Sequence, residues 1–243
     1  MKIALFGYGR MGQEIDRLLA NTSNEVIARI TEDNANQIDD DQLRIADVVI
    51  EFTQPKSALH NYRKCLSLGL PIVSGTTGWL DHWDEWTAEV EAQSGSFFYA
   101  SNFSLGVNLL FALNEKLAQW MNKQPDYHPE LIEIHHTGKR DAPSGTAITI
   151  AKGVIQNLDR LDNWQLIEET DVKKPSFNML PIYSERVDPT PGTHRLTWKS
   201  DIDDLEISHV AHSRIGFAKG AIAAAHWLPG KNGVFGMQDL MNL

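Results

Sequence analysis

The chain has 243 residues, 42% hydrophobic and 22% charged, with a formal net charge of −10 and one cysteine. That length suits one large domain or two modest ones with a substantial buried core, and the composition is that of an ordinary globular protein. The acidic balance argues against nucleic acid as a partner, no apolar run approaches the roughly 18 residues of a membrane span, and the lone Cys65 excludes an internal disulfide.

The opening "MKIALFGYGR" is too short in apolar residues, and too rich in glycine, to read as a signal peptide. A cytoplasmic location is expected, where free thiols persist. Ile3 to Phe6 forms a short apolar run ending in glycine, and Met11 to Ala20 carries helical spacing with Met11, Ile15, Leu18 and Leu19 on one face. Glu25 to Ile30 and Ala46 to Phe52 read as strands. Between them Glu32 to Arg44 is polar, shows no helix, and predicts an abbreviated crossover. Pro55 starts a helix at its favoured first turn and Gly69 ends it. Leu70 to Val73, a helix over Leu80 to Gln93, and a strand over Phe97 to Ala100 follow. Short apolar strands alternating with helices predict a parallel sheet covered on both faces.

The pattern changes after Ser104. Leu105 to Met121 reads as one long helix, Leu131 to His135 as a strand, and Ser144 to Leu158 as a helix. From Ser176 to Val210, "SFNMLPIYS", "THRLTWKS" and "LEISHV" are strand-like in succession, which predicts a mixed or antiparallel sheet. Gly216 to Leu228 is helical and rich in small residues, and is expected to return to the first domain. The fold class is therefore α/β. A Rossmann-like, parallel-sheet, dinucleotide-binding domain comprises residues 1–104 and 216–243. An α+β substrate-binding and oligomerisation domain comprises residues 105–215.

"ALFGYGRMGQEI" places Gly7, Gly9 and Gly12 in G-x-G-x-x-G spacing between a strand and a helix. The first glycine permits the tight turn, the second lets a pyrophosphate approach the backbone, and the third lets helix pack on strand. The helix start then offers free N–H groups to the phosphate. About twenty residues on, an acidic side chain is expected to hold the ribose hydroxyls, and Glu32 and Asp33 stand there. Carboxylates repel a 2′-phosphate, which favours NADH over NADPH, while nearby Arg29 works the other way. "SGTTGW" (Ser74 to Trp79) and "YASNFS" (Tyr99 to Ser104) sit at carboxyl ends of predicted strands, where ligands of such sheets bind.

"IEIHHTGKRDAPSGTA", Ile132 to Ala147, concentrates donors and cations before a helix start. Neighbouring strand residues face opposite ways, so His135 and His136 do not both turn their rings to one site. Lys139 is a proton donor or an anion anchor. Ser144 is a helix cap, and the N–H groups of Gly145 and Thr146, with the Thr146 hydroxyl, form a carboxylate receptor. Zinc needs three or four converging ligands. Adjacent histidines and a distant Cys65 do not provide them, so no metal is expected. His209 and His212 read as packed or hydrogen-bonded residues and Arg214 as an ion-pairing one. Trp79 is the tryptophan placed to sense a cofactor.

"EIHHTGKRDAPSGTA" resembles the signature E-x-H-H-x-x-K-x-D-A-P-S-G-T-A of the dihydrodipicolinate reductases, and matches it at every fixed position. "GYGRMG", "SGTTGW", "ASNFSLGVN" and "SHVAHSRIGFAKGAIAAAHWLPGK" extend the resemblance over nearly the whole chain. The resemblance implies reduction of 4-hydroxy-tetrahydrodipicolinate, a small cyclic dicarboxylate, by NADH or NADPH in lysine and diaminopimelate biosynthesis, in a homotetramer built through the second domain. It implies that Gly7, Tyr8, Gly9, Arg10, Met11 and Gly12 bind pyrophosphate. It also implies that Gly75, Thr76, Thr77, Ala100, Ser101, Asn102 and Phe103 border the cofactor, with Glu32 the acidic residue expected at its ribose. By the same resemblance, His135 and Lys139 are expected to form the acid–base pair, with Lys139 favoured as the proton donor, and His136, Gly145 and Thr146 to hold substrate carboxylate. The sequence departs from the family in three places. The glycine loop is one residue shorter than G-x-G-G-R-M-G. The acidic position falls on Thr31 or Glu32 according to the alignment. The family's R-G-G-x-x-x-G-x-H stretch becomes "RVDPTPGTH", Arg186 to His194, for which a rearranged loop is expected and no substrate role is assigned. The alternatives are another small two-domain dehydrogenase sharing only the cofactor half, and a nucleotide sensor that has lost turnover.

Overall fold

A computed structural model describes residues 1–35, 39–167, 176–213 and 215–243. The chain forms two compact units, one of Met1–Leu105 with Ile215–Leu243 and the other of Gly106–Arg214.

In the first unit, β1 (Lys2–Phe6), β2 (Glu25–Ile30), β3 (Val48–Glu51), β4 (Ile72–Ser74), β5 (Ser96–Tyr99) and β11 (Gly233–Phe235) form a six-stranded sheet in the order β11-β5-β4-β3-β1-β2. Every pairing in it is parallel. The strands are short and apolar because helices cover both faces. Ile3, Leu5, Val48 and Ile50 bury on one face among Ala218, Ala221, Ala224 and Ala225 of helix α7 (Ile215–Trp227). Ala4, Phe6, Val49 and Phe97 bury on the other with Tyr62 and Trp86. The small residues of α7 let it lie close: a Cβ on Gly220 would meet the carbonyl oxygen of Phe103 at 1.8 Å.

Helix α1 (Arg10–Leu19) follows the glycine loop, and α3 (Pro55–Ser67) starts on its proline. Gly69 follows α3 with φ +70°, the left-handed region glycine tolerates. Two local differences from the sequence reading have simple causes. The polar crossover contains a five-residue helix, α2 (Asp40–Arg44), because Asp39 caps it by accepting from the Asp41 N–H at 3.2 Å. The helix expected over Leu80 to Gln93 divides into a tight 3₁₀ turn, Leu80–His82, and α4 (Trp83–Ala92).

The strands of the second unit are β6 (His128–His135), β7 (Asn163–Ile167), β8 (Met179–Arg186), β9 (Gly192–Lys199) and β10 (Asp204–Ala211). They form a five-stranded sheet ordered β10-β9-β6-β8-β7, on which α5 (Leu105–Met121), almost all of it in this unit, and α6 (Gly145–Ile155) pack. β6 pairs parallel with β8 and antiparallel with β9, so the sheet is mixed. Alternate residues of β6 are buried, ending in Leu131, Glu133 and His135. Leu131 packs with Ala147, Ile150 and Val154 of α6, which identifies that face as the helix-covered one.

Candidate active site

The glycine loop of the first unit has the geometry its spacing demands. Gly7 adopts φ +90°, and a Cβ there would fall 2.0 Å from the carbonyl oxygen of Phe52. A Cβ on Gly12 would fall 2.2 Å from the Gly7 carbonyl oxygen, so helix and loop touch through bare backbone. Gly9, the cap residue of α1, faces open space. A helix start with no side chain over it fits a pyrophosphate. Beside it lies a cavity of about 500 Å³ lined by Gly7, Tyr8, Gly9, Thr31, Glu32, Thr53 and Lys56 among others.

Two ion pairs stand in this part of the unit. Arg29 forks onto Asp16 at 2.7 and 2.8 Å, and the Tyr8 hydroxyl donates to the same carboxylate at 2.6 Å. The Arg29 guanidinium and the Tyr8 hydroxyl hold the Asp16 carboxyl below the usual carboxylate range, against a smaller opposing effect of burial. Glu32 is exposed and meets Lys56 at 3.1 Å.

The Ser74–Trp79 loop closes on Glu51, a carboxylate at the end of β3 that is 0% exposed. It accepts from the hydroxyls of Ser74 at 2.7 Å and Thr76 at 2.9 Å, and from the Thr53 hydroxyl and N–H. Gly75 leaves room for the Phe52 ring, which a Cβ would meet at 2.1 Å. Thr77 is exposed, whereas Thr76 is buried. Trp79 is buried among Tyr62, Trp83, Phe97 and Tyr99, and its indole N–H donates to the Thr76 carbonyl at 2.8 Å. Ala100 and Phe103 are buried and Ser101 is exposed. The Phe103 ring packs on Phe52 and Phe98, which leaves its backbone as the part able to border a ligand.

In the second unit the cluster around His135 follows from strand register. Glu133 stands opposite Ser184 on β8 and His194 on β9, and His135 stands opposite Arg186. These side chains therefore meet on the face that α6 covers. Glu133 is 0% exposed and accepts the Ser144 N–H at 3.1 and 3.0 Å and the Ser184 hydroxyl at 2.7 Å. Its Oε1 lies 3.6 Å from the Arg186 guanidinium. Its Oε2 lies 3.6 Å from Nδ1 of His135 and 3.8 Å from Nε2 of His194. Burial alone would push the Glu133 carboxyl up. The hydrogen bonds from Ser144 and Ser184 and the nearby His135 outweigh it, so the group stays low and ionised.

His135 is buried, and its imidazole is pushed down mainly by burial. Glu133 opposes that shift, while the charges of Lys139 and Arg186 add to it. His194 is pushed down to about 4, again by burial first and then by His135. The two rings meet edge to face at 5.2 Å. His136, one residue past β6, is half-buried and lies outside this group.

Lys139 follows in a turn closed by its N–H to the His136 carbonyl, and its ammonium is forked by Asp141 at 2.8 and 2.7 Å. Arg186 donates to the carbonyls of Lys139 and Asp141 at 3.2 and 2.7 Å. Ser144 caps α6 by accepting the Ala147 N–H at 3.2 Å, and its hydroxyl meets His194 Nε2 at 3.1 Å. A Cβ on Gly145 would touch nothing within 4 Å, so the helix start is open to an anion. Glu133, His135 and His194 also offer ligand atoms within 4.8 Å of one another, a set that sequence spacing does not assemble. The adjacent Arg186 and Lys139 cations disfavour a dication there.

Sequence reasoning leaves out Glu133 and His194 and gives Arg186 no role. The signal for Glu133 is its position two residues before His135, on the same strand face. His194 and Arg186 need the cross-strand register. His209, opposite His194 on β10, has its imidazole pushed down by burial. Arg214 lies outside the described residues.

Comparisons with known proteins identify the family. The family description "Dihydrodipicolinate reductase, N-terminus" matches residues 1–103 and "Dihydrodipicolinate reductase, C-terminus" matches residues 106–241. A 4-hydroxy-tetrahydrodipicolinate reductase of Christiangramia forsetii is 43% identical over 243 residues, covering 100% of this chain and 98% of the relative. One of Neisseria meningitidis is 32% identical with the same coverage. A dipicolinate-bound dihydrodipicolinate reductase from Paenisporosarcina sp. TG-14 shares the fold, with a TM-score of 0.81 at 21% identity over 98% of both chains. From residue 1 to residue 241, the chain belongs to the dihydrodipicolinate reductase family.

Proposed function

We propose a division of labour for the family's reaction, the NAD(P)H-dependent reduction of 4-hydroxy-tetrahydrodipicolinate to tetrahydrodipicolinate with loss of water. Residues 1–104 with 216–243 form the dinucleotide-binding domain, and residues 105–215 bind substrate and carry the oligomer contacts. Gly7, Tyr8, Gly9, Arg10, Met11 and Gly12 hold the pyrophosphate. Gly75, Thr76, Thr77, Ala100, Ser101, Asn102 and Phe103 border the nicotinamide side. A bound reduced nicotinamide supplies the hydride. Holding the reactants in place makes the transfer effectively unimolecular.

His136, Gly145 and Thr146 receive a substrate carboxylate, supported by the uncovered start of α6. His135 and Lys139 handle the proton that balances the hydride and leaves with water. Nζ of Lys139 is the donor, and Asp141 holds it in place until substrate arrives. The single observation that supports this reading is that Arg186 anchors the backbone carbonyls of Lys139 and Asp141, in the loop that leads to the open start of α6. No metal takes part.

NADH is favoured over NADPH, because the Glu32 carboxylate lines the cavity while Asp16 already engages Arg29. The assembly is a homotetramer in the cytoplasm, with neither nucleic acid nor membrane as partner. The exposed Leu205 and Val210 on β10 support contacts between copies, and no helix among the described residues is long and apolar enough to cross a membrane.

The test is NADH and NADPH oxidation with substrate generated in place by a dihydrodipicolinate synthase from pyruvate and aspartate semialdehyde. Synthase-dependent oxidation, faster with NADH, is the expected result. Dinucleotide binding by calorimetry without any oxidation would return the sensor reading.

A further inference from the structure

We infer that Glu133 is a positioning residue for this reaction. Its one buried carboxylate fixes both the imidazole of His135 and the start of α6, so that proton handling and anion binding are registered to each other. The inference rests on the proposed roles of His135, Gly145 and Thr146.

A carboxylate that is 0% exposed is costly unless donors surround it. Those donors divide between its two oxygens. Oε1 takes the Ser184 hydroxyl and lies toward Arg186, both oxygens share the Ser144 N–H, and Oε2 faces the two imidazoles. A carboxylate serving only to brace a helix start would need none of that second arrangement, because the Ser144 hydroxyl already caps α6. Nδ1 of His135 is buried and has no hydrogen-bond partner, and the Glu133 carboxylate faces it through Oε2 at 3.6 Å. That favours the tautomer with hydrogen on Nδ1, which leaves the Nε2 lone pair for proton exchange. Nε2 is the atom given room by Gly192, where a Cβ would stand 3.2 Å from it.

The groups facing His135 are Glu133 on its own strand, Arg186 on β8, His194 on β9, and Lys139 and Asp141 on the following loop. Lys139 and Arg186 disfavour protonation of the ring, and Glu133 favours it. Removing the Glu133 charge therefore makes His135 harder to protonate.

The experiment compares wild-type protein with Glu133→Gln and Glu133→Asp by histidine ¹⁵N NMR, the synthase-coupled assay across pH, and dinucleotide calorimetry. Wild-type His135 is expected to carry its neutral-form hydrogen on Nδ1. Glu133→Gln should lose that preference, lower kcat about 10²-fold, raise KM for substrate, and move the pH limb of His135 downward. Dinucleotide affinity should stay unchanged, and Glu133→Asp should restore the tautomer. A wild-type His135 with hydrogen on Nε2 overturns the inference. So does a folded Glu133→Gln protein with wild-type histidine titration and turnover. If Glu133→Gln does not fold, the wild-type tautomer still decides. A wild-type protein that oxidises neither nucleotide would overturn the functional reading instead, and the histidine spectra would judge Glu133 independently.

Discussion

Arg186 holds Lys139 by its backbone: the guanidinium Nε donates to the Lys139 carbonyl at 3.2 Å. The same fork reaches the Asp141 carbonyl at 2.7 Å, so one side chain sets the path of the loop carrying the ammonium. Lysine cannot reproduce a planar fork. Both Arg186→Lys and Arg186→Ala should therefore cut kcat/KM by about tenfold to 10²-fold, a cost of roughly 1.4–2.7 kcal/mol in transition-state stabilisation. Calorimetry should find dinucleotide affinity unchanged. A Lys variant with full activity would show that the loop holds its shape unaided.

Lys139→Ala and His135→Ala remove the two groups assigned to the proton. Each should lower turnover by roughly 10²–10⁴-fold, with dinucleotide binding preserved, because both residues belong to the second unit. Single-turnover kinetics with saturating dinucleotide separates this loss from weaker substrate binding. Near-normal turnover in both variants would remove the assignment.

His194 makes stability depend on pH with a definite sign. Its folded pKa lies at about 4, below the ordinary 6.5, so the unfolded chain binds the proton more readily. By linkage this favours the folded state fully above pH 6.5, and the advantage is lost as pH falls from about 6.5 to about 4. The span corresponds to on the order of 3 kcal/mol. Urea midpoints measured across that window should fall for the wild type and fall less for His194→Gln. Equal slopes would place the proton uptake on another group.

Glu32 and Lys56 form an exposed ion pair at 3.1 Å in the lining of the cavity beside the glycine loop. Such a pair adds little stability, and its two charges would act oppositely on a 2′-phosphate. Glu32→Ala should therefore lower the NADH-to-NADPH ratio of kcat/KM several-fold, and Lys56→Ala should raise it. Comparing both ratios in one assay decides the matter, since unchanged ratios would move the selector to Asp33 or Arg29.

Most of the first unit is legible in the sequence because its signals are local. A glycine fingerprint, a helix-starting proline and runs such as "VVIE" need no distant partner to declare themselves. The strands β7 and β11 and the final helix α8 (Met237–Met241) give no comparable signal. β11 is only three residues long, too short to show a period, and it exists because β5 offers a free edge. The site divides in the same way. Lys139, Ser144 and Gly145 lie within one contiguous motif and stand out on reading. His194, far from Glu133 along the chain, reaches it only through the β6–β9 register. Buried Glu51 is equally silent: it falls within the expected strand Ala46 to Phe52, and nothing local announces that the hydroxyls of Thr53, Ser74 and Thr76 close on its carboxylate.

The first unit is made of two pieces of chain, and α7 and β11 come from the second piece. On the ribosome, Ile3, Ile50, Val73 and Phe98 emerge early, but the alanines that cover them are translated after the whole second unit. Domains generally fold as units during synthesis, and this one must wait. Its first five strands lack the α7 cover on one face while the whole of Gly106–Arg214 is added.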